Sequence, residues 1–245
     1  MNGGNARTPL FIVCSPQPRT GCTLVARLLV DFFLMEGRQV AAFDFAAEPP
    51  SLIDFLPGYT VRADVTEIGG QMALFDRIIV SDGTAKVVDL SPIAFQQFFS
   101  VMSEIAFVAD ARQRGMEPIV LFMAAPDAIS QRSYALLQRR FPEMALVPVY
   151  NEMLVRADRT RKNYAVLDSK SVAMQIPALA PLYRRFLDQP PFSFSAFRGA
   201  PPKDIPLDTY MELLRWMRRA FVEFRELELR LLLNDVRLSL QPGTG

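Results

Sequence analysis

The sequence predicts an α/β domain: a doubly wound, mostly parallel sheet flanked by helices, with a long C-terminal helix. Three observations predict it. Short runs of mainly apolar residues, such as Leu10 to Cys14 and Lys86 to Leu90, read as strands buried on both faces. Amphipathic helical patterns separate those runs. The first strand, helix and second strand fall within 45 residues of the N-terminus, the compass of a βαβ unit, whose strands are parallel.

The elements follow in order. Leu10 to Cys14 is the first strand, closed by Pro16 and Pro18. Gly21 to Glu36 carries apolar residues at Leu24, Val25, Leu28, Leu29 and Phe32, which is helical spacing, and Gly37 is its stop signal. Gln39 to Phe45 is a second buried strand. Ala46 to Gly70 is punctuated by prolines and glycines and is expected to be loop, with a short helix near Leu52 to Phe55. Met72 to Val80 reads as a short helix leading into a strand, before the turn residues Ser81 to Thr84. Lys86 to Leu90 is a strand and Ile93 to Arg114 a helix ended by Gly115. Pro118 to Ala124 and Met144 to Tyr150 are strands around a helix from Asp127, a natural N-cap, to Arg140. A further strand is expected at Asn163 to Leu167 and a short helix at Leu179 to Leu187. The segment 188–206 is a Pro- and Phe-rich loop expected to pack down. Leu207 to Leu238 is one long helix with an apolar stripe through Tyr210, Leu214, Met217, Phe221 and Phe224. One domain over residues 1–245 is expected, with its core at 8–187.

Composition excludes several chemistries. The chain has no histidine, which removes the commonest zinc ligand, the commonest neutral-pH base and any Ser-His-Asp arrangement. Its two cysteines, Cys14 and Cys22, cannot form a disulfide framework and suit a reducing, cytoplasmic location. Lys plus Arg number 27 against 26 Asp plus Glu, so nothing in the balance argues for a nucleic-acid or membrane partner. The apolar run Leu24 to Met35 is broken by Arg27 and Asp31 and does not read as a membrane span. In the C-terminal helix, arginines alternate with glutamates, which favours packing or dimerisation over a membrane surface.

In this fold class ligands sit at the carboxyl ends of the strands. The first such loop is Ser15 to Thr23, the place of a phosphate-binding loop. Such a loop needs glycines so that amides can wrap a phosphate, a lysine for charge, and a Ser or Thr hydroxyl for magnesium. Here Gly21 and Thr23 are present, and Arg19 is the loop's own cation. Asp44 and Asp89 end two strands on the same predicted edge, and Asn151 ends a later one. Cys22, next to a helix N-terminus, reads either as a thiol of lowered pKa or as a small residue standing where a lysine is absent, and the second reading is preferred.

The loop and these strand ends resemble the ParA/MinD family of P-loop ATPases, the deviant Walker A group of the SIMIBI class. The family loop reads Lys-Gly-Gly-x-Gly-Lys-Thr. Laid on this chain, the signature lysine falls at Gln17 and two glycines fall at Pro18 and Arg19. The last glycine is kept as Gly21, the main lysine falls at Cys22, and the magnesium-binding threonine is kept as Thr23. The family's Asp-x-Asp strand end is matched by Asp44 and, in place of the hydrolytic carboxylate, Ala46. Asp89 matches the aspartate that supports magnesium through water, and Asn151 the asparagine that contacts adenine. The likeness covers residues 8 to 155.

The resemblance implies a P-loop NTPase fold in which Asp44 and Asp89 are the catalytic carboxylates. Arg19, Thr20, Gly21, Cys22, Thr23 and Asn151 would hold ATP or ADP, and Thr23 and Asp89 a magnesium ion. The departures remove both lysines and, at Pro18, a backbone donor. The expectation is therefore a degenerate or slow ATPase acting as a regulatory, positioning or scaffolding factor, as a homodimer and with an unidentified protein partner. An active Mg-ATPase that switches a homodimer is one alternative. A non-enzymatic partner-binding module using the C-terminal helix is another.

Overall fold

The computed structural model describes residues 7–46, 48–63, 74–154 and 173–240, with side chains to residue 233. Its centre is a seven-stranded sheet in which every pairing is parallel. The strands are β1 (Thr8–Cys14), β2 (Val40–Asp44), β3 (Thr60–Arg62), β4 (Ala85–Leu90), β5 (Met116–Met123), β6 (Ala145–Asn151) and β7 (Met174–Ile176), in the spatial order β3-β2-β4-β1-β5-β6-β7. The chain winds outward from β1 to β3, returns at β4, then builds the other half from β5. That reversal puts the topological switch point at the carboxyl end of β1.

Helices cover both faces. On one lie α1 (Cys22–Met35), α6 (Pro181–Leu187), α7 (Phe194–Gly199) and α8 (Leu207–Leu240). On the other lie α3 (Phe95–Glu104), α4 (Phe107–Gln113) and α5 (Ala128–Arg140). A single turn, α2 (Leu52–Phe55), follows β2. Strand alternation sorts side chains between the two layers: Phe11 and Val13 enter the α1 layer, while Leu10, Ile12 and Cys14 enter the other. By the same period Asp44 follows Ala42, and Asp89 follows Val87, onto the α1 face. Phe32 of α1 stacks within 6.0 Å of Phe221 and 5.6 Å of Phe224, which fastens α8 over the first helix.

Several elements differ from the sequence reading. The helix expected over Ile93 to Arg114 is two helices, broken at Ile105 and Ala106, where Ala106 takes a left-handed conformation (φ 50°). Residues 74–78 are helical, but no strand follows them before the turn at 81–84. The outer strand β3 falls in a stretch read as loop, β7 falls where no element was assigned, and α7 lies inside the Pro-rich segment. The strand expected at Asn163 to Leu167 lies outside the described residues.

Two buried charges on α1 explain why the Pro-rich segment packs down. Asp31, fully buried, accepts hydrogen bonds from the Ser193 hydroxyl (2.6 Å) and from the amides of Phe194 (2.7 Å) and Ser195 (3.2 Å), and so caps α7 from outside. Arg27, one turn earlier, lies 3.6 Å above the Phe55 ring and donates to the Leu187 carbonyl at 2.7 Å. Burial lowers the pKa of this guanidinium to about 10 despite the opposing pull of Asp31 and Asp188.

Candidate functional site

The loop between β1 and α1 sits where the topology places a ligand, and it is partly open to solvent. Pro18 and Arg19 are exposed, and Thr20 is buried. The chain is left-handed at Arg19 (φ 60°) and at Gly21 (φ 98°), the N-cap of α1. Glycine is required at position 21 for a second reason. A Cβ there would lie 2.6 Å from the Asn151 amide nitrogen. The first-turn amides of α1 have no acceptor within the helix, and no side chain caps them at Gly21.

The strand ends bring the other residues into place. β2 and β4 pair so that Asp44 and Asp89 are register partners, and β4 pairs with β1 so that Asp89 lies beside Val13. The Thr23 side chain lies near enough to Asp89 to pull its pKa down, while Asp89 Oδ2 is buried with no partner. Burial, then the neighbouring Asp44 carboxylate, pushes the Asp89 pKa up to about 7, against the pull of Thr23. An orphaned carboxylate oxygen beneath a first-turn threonine is a donor set that fits a hydrated cation.

Asp44 is differently occupied. It accepts from the Ser51 hydroxyl (2.6 Å) and from the amides of Ala46 (2.9 Å) and Ile53 (3.0 Å). These bonds fix the turn after β2 and the start of α2, so its geometry is that of a loop-organising residue. Arg62 completes the cluster through the Ala46 carbonyl (2.6 Å) and the Ser51 hydroxyl (3.4 Å). Sequence reasoning missed Ser51 and Arg62, because nothing in a Pro-rich stretch signals which strand end it folds back upon.

Asn151 reaches the loop from β6. Its Nδ2 donates to the Thr20 carbonyl at 3.3 Å and its Oδ1 accepts from the Met153 amide at 3.1 Å. Gln17, half-buried, donates to Asp127 at 3.3 Å, the residue that caps α5. The Cys22 thiol meets the Thr20 hydroxyl at 3.5 Å. Burial and then the Asp89 charge push its pKa up to about 12, so it is a neutral thiol and not a nucleophile. The structure thus gathers Thr20, Gly21, Cys22, Thr23, Asp89 and Asn151 around one loop. Arg19 stands at its exposed tip, and Asp44 lies one strand further out.

A scan of protein-family models finds no match, and a search of curated proteins finds none. Among solved structures, a ParA family ATPase from Chlorobium tepidum TLS is similar, at 15% identity and a TM-score of 0.42, over 87% of this chain and 98% of that one. A likeness this distant carries no argument about the site. The fold class rests on the sheet itself, whose parallel strands, flanking helices and long C-terminal helix fit the P-loop NTPase α/β fold.

The site's fit to a magnesium nucleotide is uneven. Thr23 and Asp89 suit the cation. The phosphate side does not fit as well: the positions of both family lysines hold Gln17 and Cys22, and Pro18 offers no N–H. Among the described residues, no group of three His, Cys, Asp or Glu side chains could hold a metal, and no helix is long and apolar enough to cross a membrane.

Proposed function

We propose that this chain is a ParA-like P-loop protein whose phosphate loop is degenerate, acting as a regulatory, positioning or scaffolding factor with slow or lost ATP turnover. The observation that carries the reading is the neutral Cys22 thiol at the head of α1, where the phosphate charge would be met, close to the Asp89 carboxyl. A triphosphate brought there meets a carboxyl group and, in the loop 15–23, no lysine, and lysine-type contacts to a transferring phosphoryl group act mostly in the transition state. Arg19 is the loop's remaining cation, and its exposed position at the tip favours contact with solvent or a partner over a buried phosphate.

Calorimetric titration with ATP and Mg²⁺ tests this. The expected result is no saturable heat, together with no steady phosphate release. Cys22→Lys, which restores the charge, is expected to raise nucleotide affinity. Tight binding by the native chain, with phosphate release abolished by Asp89→Ala, would establish the active Mg-ATPase instead.

A second reading is favoured by one observation. Leu229, Leu232 and Leu233 of α8 are each more than half exposed, although Leu227 and Leu231 on the same stretch of helix pack on the core. This supports a protein partner for the helix end, a second copy of the chain being the expected one. Light scattering on the Leu229→Glu/Leu233→Glu variant tests it: a native dimer that becomes monomeric supports the reading, and a native monomer removes the homodimer.

A further inference from the structure

We infer that Gln17 and Asn151 are side-chain straps that hold the loop 15–21 in its folded shape without requiring an anion. A loop of this kind has two costs to meet. Arg19 is left-handed without being glycine, and Thr20 turns its carbonyl away from any helix or strand partner. Where a phosphate orders such a loop, the anion supplies the bonds. Here the polypeptide supplies them. The Gln17 amide donates to the Ser15 hydroxyl oxygen (3.0 Å), and the Thr20 hydroxyl to the Gln17 carbonyl (3.4 Å). From outside, the Gln17 side chain ties the loop to the α5 cap at Asp127 (3.3 Å), and the Asn151 amide takes the Thr20 carbonyl (3.3 Å).

Asn151 is well built for that role. It is only 5% exposed, its oxygen is fixed by the Met153 amide, and its nitrogen fills the space that any side chain at position 21 would need. Both polar atoms thus face the protein, which makes Asn151 a loop strut. The loop's two outside anchors, Asp127 in the connection after β5 and Asn151 at the end of β6, lie on the same side of β1, opposite β4 and Asp89. A loop held this way is a fixed surface, present in the same shape whether or not a ligand is offered.

The inference goes one step beyond the functional reading, and its test uses no nucleotide, so the two fail separately. Hydrogen exchange of the full chain would be followed at the amides of residues 19–23. Asn151→Asp keeps the acceptor for the Met153 amide but cannot donate to Thr20; Gln17→Ala cuts the other strap. Each variant is expected to speed exchange in the loop about fivefold, the equivalent of one hydrogen bond, while leaving β5 unchanged. Millimolar inorganic phosphate is expected to leave native exchange unaltered. If Asn151→Asp does not fold, Gln17→Ala decides alone. Native-like loop exchange in the folded variants, or slowing of native exchange by phosphate, would overturn the inference.

Discussion

Replacing Asp31 tests whether buried charges on α1 fasten the Pro-rich segment. The carboxylate is fully buried and accepts three hydrogen bonds, two of them at 2.7 Å or less. Asp31→Ala leaves the Phe194 amide as a buried donor with no acceptor, worth about 1–3 kcal/mol. It also removes one of the two carboxylates, Asp31 and Asp188, that favour the charged form of Arg27, whose Nε already has no partner. Arg27 and Asp31 are not in direct contact, so the cost of about 3–5 kcal/mol for stripping a contact partner from a buried charge is an upper bound here. Both penalties arise from the one removed carboxylate, and about 3–5 kcal/mol is the expected ceiling for the total. For a chain of this size that ceiling lowers the thermal midpoint by roughly 6–20 °C. Asp31→Asn keeps one acceptor and should cost about half as much. Arg27→Met/Asp31→Ala removes both charges and should be more stable than the sum of its single variants predicts, by about 1 kcal/mol or more. Urea melts of the four variants supply the cycle. Loss below about 1 kcal/mol in Asp31→Ala, or strict additivity, would refute the reasoning.

Three further outcomes are expected. Asp89, with a folded pKa of about 7 against an ordinary carboxylate near 4, binds more protons folded than unfolded between those values, so its contribution to stability falls as pH rises from about 4 to 7 and is flat above. Asp89→Asn should therefore be more stable than the native chain at pH 8 by about 2–4 kcal/mol, with the gain vanishing near pH 4, as read by denaturant melts at both pH values. Gly21→Ala meets both a left-handed backbone and the Asn151 amide and should cost about 2–3 kcal/mol, of which Asn151→Ala in the same chain relieves the clash but not the backbone strain; equal losses with and without Asn151 would disprove the contact. Phe32→Ala empties the aromatic seat of α8 and should cost about 3–5 kcal/mol, with α8 becoming the first site of limited proteolysis.

The core strands were legible because their chemistry is local. A parallel strand buried on both faces must be a run of apolar residues, and Leu10 to Cys14 is one. The loop at Gly21 was legible for a similar reason, since a switch point after the first strand is a property of topology. The break at Ala106 was not, because it has neither glycine nor proline and is set by how Phe107 must turn to enter the α3–α5 layer. The edge strands escaped because three residues are too few to show a period. Within the site, Asp89 and Thr23 were visible as residue types, whereas the commitment of Asp44 to Ser51 and of Asn151 to Thr20 depends on contacts between segments 7 and 131 residues apart. Arg27 and Asp31 showed in the sequence only as charges that spoil an apolar run. Their partners lie about 160 residues downstream, beyond any local pattern.

Among the described residues, the sheet ends on both sides in strands of three residues, β3 and β7, flanking central strands of five to eight. Such brief margins give a foreign chain almost no ladder to extend, so fibril growth by strand addition has little purchase on the native protein. If concentrated solutions of this protein turn cloudy, the clumping should begin at the leucines near the end of α8, and deposits formed from folded molecules should keep helical spectra and bind amyloid dyes weakly.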